Sequence, residues 1–353
     1  MEKNKLNIKD MEFQQLEAAL VSLSEEPYRA KQIWDWLYVK RVTNINLMSN
    51  LPKELRQRLQ DRYYISGLEL ADQKISRDGS QKFSFRLDDG YTIETVWIKM
   101  VGHGTLCLSS QIGCRLGCLF CLTGRKGLIR NLQASEIIDQ ILAVQDLLEL
   151  KKQRFNLVLM GMGEPLDNYD NVVKALRIIT SPHGLAISPR RITLSTVGLI
   201  NPLKTFAQEA LPVNLAISLN ATTNQIREQL MPVNKGNPIE LLFRTLRSYP
   251  LPPRRRITIQ YVLIEGINDS LQDAHRLAGL LRGLRSKVNL IPVNYFPGSG
   301  YRAPRGEAVE AFHRVLQDHN ITALIRESKG ADICGACGQL GGGLERWMTS
   351  PMP

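Results

Sequence analysis

Cys114, Cys118 and Cys121 form a C-x3-C-x2-C run, Cys114-Arg115-Leu116-Gly117-Cys118-Leu119-Phe120-Cys121. Three thiolates this close can hold three corners of a cubic [4Fe–4S] cluster, and without a fourth neighbouring cysteine one iron stays open to a substrate. Zinc also takes thiolates, but a structural zinc site needs four donors, usually as pairs of C-x2-C. Further on, Gly161-Met162-Gly163-Glu164-Pro165 ends an apolar run. Its glycines permit close backbone approach and its carboxylate can meet a cationic amino group, although the same residues also make a plain tight turn. Ser195, the triplet Ser218-Leu219-Asn220, and Asn294 each end or follow a β-rich run. Hydroxyl and amide groups there can bond the ribose or carboxylate of a nucleoside, or simply cap a helix.

Six cysteines in 353 residues are too few for a disulfide scaffold, and Cys107 joins the triplet while Cys334 and Cys337 lie near the other end. In a reducing compartment such clustering points to metal or catalysis. By residue type alone, Cys107 and Cys337 read as buried apolar thiols. Glu94, in YTIETVW, reads as a glutamate on the polar side of a strand.

These groups need elements to position them. Short β-rich runs at TLCLSS, FNLVLMGMG, RITLSTVG, NLAISLN, RITIQYVLIEG, KVNLIPVNYF and ITALIRES alternate with helical candidates, which predicts a parallel sheet with ligands at its C-terminal strand ends. Ser135 is the expected cap of one helix with Ile137, Ile141, Val144 and Leu148 on its apolar stripe, and Asp269 or Ser270 the cap of another. The fold class is α/β, an open or partial α/β barrel. Before it, Ile33, Trp36 and Leu37 recur at helical spacing beside a basic face of Arg29, Lys31, Lys40 and Arg41. KFSFRL and YTIETVWIKM flank Asp88-Asp89-Gly90 as a β-hairpin. The expected organisation is a helical accessory domain over 1–75, a hairpin linker over 76–103, the core over 104–330 and a mobile C-terminal segment over 331–353.

With 45 Lys+Arg against 34 Asp+Glu the formal charge is +11, which favours a polyanionic partner. Arg125, Lys126, Arg130 and the run Arg254-Arg255-Arg256 are placed near the mouth of the site to track phosphates, with Trp34, Trp36, Tyr38 or Tyr295 to stack bases; a solvated basic face is the other reading. Ordinary globular composition excludes a disordered or collagen-like chain. No secretory h-region and no membrane-length apolar run are present, so the expected location is the cytoplasm, with no membrane partner.

The cysteine run after the first core strand resembles the radical S-adenosylmethionine (SAM) superfamily. CLSSQIGCRLGCLFCLTGRKGLIRNL, GMGEPL, RRITLSTVGLI, AISLNATTNQIREQLMPVNK, YVLIEGINDS, KVNLIPVNYFPGS and ACGQL, in order over about residue 80 to about residue 345, resemble the RlmN/Cfr family of RNA adenine methyltransferases. The resemblance implies a radical SAM barrel with an RNA-binding accessory domain and a [4Fe–4S] cluster on Cys114, Cys118 and Cys121. It also implies SAM contacts at Gly163, Glu164, Ser195, Ser218, Leu219, Asn220 and Asn294, with the open iron chelating SAM and one electron cleaving it to a 5′-deoxyadenosyl radical.

Carbons 2 and 8 of adenine are electron-poor and do not attack a sulfonium methyl, so a radical route avoids the difficulty. In the implied mechanism one SAM methylates the thiolate of Cys337, and the radical from a second SAM takes hydrogen from that methyl group. The resulting methylene radical adds to adenine carbon 2. Glu94 then removes the ring proton, and Cys107 breaks the cross-link through a transient disulfide. Two SAM per turnover, 23S rRNA and tRNA substrates, a flavodoxin or ferredoxin electron donor and a monomeric state are implied as well. Carbon 8 methylation is the within-family alternative. A non-catalytic iron–sulfur RNA-binding protein has no use for Cys107 or Cys337, and a small-molecule radical SAM enzyme fits the charge and accessory domain poorly. Two departures from the family pattern are Asn220, where His is usual, and Cys334, where an acidic residue is usual; Cys334 pairs off-pathway with Cys337 or is inert.

Overall fold

The computed structural model describes residues 5–150 and 153–341. Two short parallel strands, β1 (Leu6–Asn7) and β2 (Tyr63–Tyr64), tie together an N-terminal unit with helices at Phe13–Ser22, Arg29–Trp34 and Lys53–Arg62. These helices form around Leu16, Leu20, Ile33, Leu37, Leu55 and Leu59, all buried. Trp34 rather than Trp36 enters this core, where Phe13 and Tyr38 meet its ring edge-on. The unit is fastened to the rest of the chain by a buried ion pair, Lys9 Nζ to Asp139 Oδ1 at 2.7 Å, and by Arg41, which bonds Asp146 and Gln145.

Four antiparallel strands follow, β3 (Glu69–Ile75), β4 (Gln81–Arg86), β5 (Thr92–Met100) and β6 (His103–Cys107). β4 and β5 form the hairpin expected around Asp88-Asp89-Gly90. The hairpin continues directly into the main sheet. β7 (Gln111–Cys114) and β8 (Gly127–Asn131) make a separate antiparallel ribbon enclosing the cysteine triplet. β9 (Phe155–Leu159), β10 (Ile192–Thr196), β11 (Asn214–Ser218), β12 (Ile257–Leu263), β13 (Ser286–Pro292) and β14 (Ala323–Ile325) then add in parallel. The ten-stranded order is β14-β13-β12-β11-β10-β9-β6-β5-β4-β3, with β14 and β3 at opposite edges, so the barrel is open as expected.

All seven β-rich runs become strands, TLCLSS as β6, which pairs in parallel with β9, and the others as β9 to β14. The interior ones are covered on both faces, with Leu157, Ile192, Leu194, Ile217, Ile259 and Leu290 fully or almost fully buried. Helices at Ala134–Leu147, Tyr169–Thr180, Ile200–Phe206, Ile239–Arg247, Leu271–Leu281 and Gly306–Asp318 lie between strands in sequence. Ser270 caps Leu271–Leu281 by accepting from Asp273 N–H at 3.1 Å. Ser135 does not cap its helix: Gln133 does, in a reciprocal pair with Glu136. The Ser135 N–H is instead taken by Asp10 of the N-terminal unit, at 2.7 Å. Among the described residues no helix is long and apolar enough to cross a membrane.

Candidate active site

Parallel strands bring their C-terminal ends to one edge, and there a cavity of about 150 Å³ opens. It is lined by Cys114, Cys118, Cys121, Gly163, Glu164, Ser195, Ser218, Asn220, Asn294 and Cys337. Leu219, Cys107 and Glu94 are not among its lining residues. Leu219 is fully buried and gives its N–H to Gln260 O, which places it in the sheet edge beneath the cavity.

Burial pushes all three triplet thiols above their usual pKa, Cys114 to about 12, and the neighbouring Cys121 charge opposes ionisation of Cys114 and Cys118. Holding them as thiolates requires cationic metal beside them. Among the described residues no three His, Cys, Asp or Glu side chains converge on a single-ion site. Three thiols on one cavity supply one donor to each of three irons of a cluster, whereas a structural zinc needs a fourth donor.

Glu164 is 3% exposed. Burial raises its carboxyl to about 7, while Thr196 and the amides of Val197 and Leu166 pull the other way. Those amides donate at 2.9 and 3.1 Å, and no lysine or arginine pairs with it among the described residues. A ligand ammonium would supply the missing cation. Gly163 has φ +102°, and a Cβ there would lie 2.5 Å from Gln111 Cβ and 2.7 Å from Gln111 N, so the strand end can carry only glycine in this path. Gln111, fully buried, accepts from Glu164 N–H at 2.8 Å and donates to Asp167 and Asn131. It frames the site and was not singled out in the sequence; a lone Gln before the triplet carries no periodic signal.

Asn220 adopts φ +59°, a region asparagine tolerates better than most residues. Its Oδ1 accepts from Val262 N–H at 2.9 Å and its Nδ2 faces Met231 Sδ at 3.3 Å. Here the side chain holds the strand end. Arg227, fully buried, does similar work: it donates to Val197 O, Leu219 O, Asn234 Oδ1 and Asn237 O. Burial lowers its pKa to about 10, and only the Cys118 charge resists that shift.

The C-terminal segment, over its described residues 331–341, is bonded across the cavity. Asn294 Nδ2 donates to Cys337 O at 3.0 Å, Leu122 N–H to Gly338 O at 2.8 Å, and Thr123 Oγ1 to Leu340 O at 2.7 Å. Gly342 and Gly343, with the remainder of the segment to 353, lie outside the described residues. Cys337 is solvent-accessible and faces the cavity; crowding by surrounding protein, then the Cys121 charge, push its thiol up, and Arg326 opposes them. Cys107 is buried and raised far above its usual pKa, chiefly by burial and next by the charge of Cys337. The two thiols, distant in the chain, are close enough for the charge of one to act on the other. Glu94 is 3% exposed rather than solvent-facing. Its Oε1 lies 3.0 Å from Lys82 Nζ, and its Oε2 accepts from Gly341 N–H.

Residues 6–65 match the Ribosomal RNA large subunit methyltransferase N-terminal domain, and residues 108–278 match the Radical SAM superfamily. The Dual-specificity RNA methyltransferase RlmN of Geobacter sulfurreducens is 47% identical over 96% of this chain and 93% of its own. The chain belongs to the RlmN family of radical SAM methyltransferases. The relative from Geotalea uraniireducens is 45% identical over 97% of this chain and 98% of its own. A crystal structure of a radical SAM methyltransferase from Sphaerobacter thermophilus superposes with a TM-score of 0.88 at 39% identity, covering 95% of this chain and 98% of that one.

Within an RlmN-family site the basic residues divide differently from the expectation. Arg125 braces the Gly298 and Ser299 carbonyls, Lys126 bonds Gly341 O, and Arg130 is paired with Asp89 and Glu136. Arg254-Arg255-Arg256 lie at the opposite end of the sheet from the mouth, because they precede a parallel strand instead of following one. Trp34 and Tyr38 are buried, and Lys40 covers the Trp36 ring. Tyr295 is 68% exposed beside Asn294.

Proposed function

We propose that this chain methylates carbon 2 of an adenosine in 23S rRNA and in tRNA, with Cys337 carrying the methyl group. The observation that carries this reading is the convergence of the thiol triplet, Glu164 and Cys337 on one cavity. A cluster held by Cys114, Cys118 and Cys121 supplies, when bound, the single electron that opens SAM to radical chemistry.

In this reading Glu164 receives the amino group of SAM. Gly163 lets the backbone approach it, and Ser195, Ser218, Asn220 and Asn294 set its ribose and carboxylate at the strand ends, while the buried Leu219 holds that edge through Gln260 and Arg227. Cys337 attacks the sulfonium methyl of a first SAM, forming S–CH3 and releasing S-adenosylhomocysteine. A second SAM is consumed in removing hydrogen from that methyl group, so two are used per turnover. Carbon–carbon bond formation leaves an unpaired electron on the adduct. As Glu94 takes the ring proton, that electron is lost to a one-electron acceptor of the flavodoxin or ferredoxin class, leaving a closed-shell thioether. The Cys107 thiolate attacks the Cys337 sulfur, the carbon–sulfur bond breaks, and a Cys107–Cys337 disulfide forms as the electron pair moves onto the adenine and is protonated. External reductant reopens the disulfide.

The accessory unit binds the RNA, a flavodoxin or ferredoxin donates electrons, and the chain works as a monomer in the cytoplasm. Mass spectrometry of RNA after anaerobic turnover with methyl-labelled SAM tests the reading. Label at adenine carbon 2 is the expected result; label at carbon 8, or none, overturns it.

A further inference from the structure

Arg254, Arg255 and Arg256 precede β12, while Arg282 and Arg285 precede β13. Ile257 is in register with Ser286, so the two loops lie side by side. With His319 to Thr322, before β14, they line a cleft of about 680 Å³ at the N-terminal strand ends. Among its described lining residues there are five arginines, no Asp or Glu, and no Trp, Tyr or Phe. We infer that this cleft binds backbone phosphates of the RNA at a distance from the target base, an inference that rests on the RNA reading above.

Three of the arginines are held by neutral acceptors, which fix them without cancelling charge: Arg255 on Asn214 Oδ1 at 2.6 Å, Arg256 on Thr322 Oγ1 at 2.8 Å and Arg285 on Leu251 O at 3.2 Å. Arg254 and Arg282 are exposed and have no side-chain hydrogen bond or ion pair among the described residues. The helices Leu271–Leu281 and Gly306–Asp318 end beside the cleft, each contributing about half a negative charge. Five guanidinium charges exceed that opposition. Guanidinium forks match phosphate oxygens in geometry. With no aromatic surface for a base, the cleft reads backbone rather than nucleobase. Arg256 lines the cleft and Val262 the cavity; six residues of extended strand separate them by about 20 Å. The straight distance is only about six stacked nucleotides, but the sheet lies between the two openings, so RNA seated in the cavity reaches the cleft only by passing round the sheet. A longer folded RNA can do so.

The test measures affinity of the full chain, native and Arg254→Gln/Arg282→Gln, for a short stem-loop holding the target adenosine and for a longer folded fragment, at about 50 and about 200 mM salt. Losing two phosphate contacts should lower the slope of log affinity on log salt by about 1.8 for the longer RNA, shrinking its loss over that range roughly tenfold. Stem-loop affinity should be equal in the two proteins. Equal slopes for the longer RNA, or parallel loss for both RNAs, overturn the inference. So does binding of inorganic tripolyphosphate that depends on the two arginines while RNA affinity does not, since the cleft would then serve a small anion. A native chain that binds neither RNA overturns the RNA reading itself.

Discussion

Lys82 and Glu94 face each other diagonally across the hairpin, since Lys82 is in register with Val96 and Ser84 with Glu94. Their side chains are 5% and 4% exposed and 3.0 Å apart. The same Nζ donates to Cys334 O at 3.2 Å, and Glu94 also accepts from Gly341 N–H. This pair therefore grips both ends of the segment carrying Cys337. Lys82→Met keeps most of the stem volume but leaves a buried carboxylate without its cation, at a cost of about 3–5 kcal/mol. Unfolding entropy of about 2.1 cal/mol/K per residue gives about 0.74 kcal/mol/K for 353 residues. The expected fall in Tm is roughly 4–7 °C. Adding Glu94→Gln removes the stranded charge and should restore at least half of that loss. Scanning calorimetry reads the first quantity, and alkylation of Cys337 followed by peptide mass spectrometry reads release of the segment, which should be several-fold faster in Lys82→Met. A Tm within about 1 °C of native together with unchanged alkylation would refute the strap.

Cys337→Ala should keep the iron content yet lose both protein and RNA methylation, whereas Cys107→Ala should accumulate an RNA–protein adduct on denaturing gels; full turnover by the latter without trapped RNA defeats the two-thiol mechanism. Because burial raises Glu164 from 4.5 to about 7, the stability given by its protonated form is complete below 4.5 and lost as pH rises through about 7. The ammonium of SAM favours the charged form, so SAM affinity should strengthen from pH ~6 to ~8, by up to about tenfold per unit below 7; a flat titration profile would exclude that contact. Gly163→Ala should cost about 2 kcal/mol or more through strain and the clash with Gln111, and weaken SAM binding measured by calorimetry. Native affinity in that variant would show that the strand end relaxes freely.

Much of the core was legible because it is local. Ligand spacing within Cys114–Cys121 depends on a few consecutive bonds, and strands buried on both faces appear as continuous apolar runs, so β9 to β13 could be located from the local apolar pattern. The family resemblance added roles for residues whose own types were ambiguous. Other assignments failed where a partner far away in the chain decided the outcome. Ser135 looks like a cap until Asp10 takes its N–H. Trp36 fits a helical stripe as well as Trp34 does, but the helices place Trp34 inside. Arg130 looks free until Asp89 and Glu136 flank it.

The sequence by itself determined the chemistry available: three closely spaced thiols, a glycine-flanked carboxylate, polar strand ends, three further cysteines and an excess of positive charge. Tertiary structure alone decided which of these meet. It returned the segment carrying Cys337 to the loop of the cysteine triplet, buried Glu94 against Lys82, and sent Arg254-Arg255-Arg256 to the far end of the sheet. The reason is physical: coordination spacing and strand periodicity are set by covalent neighbours, whereas closing a loop of hundreds of residues brings no reward until the whole packed sheet holds both ends in place.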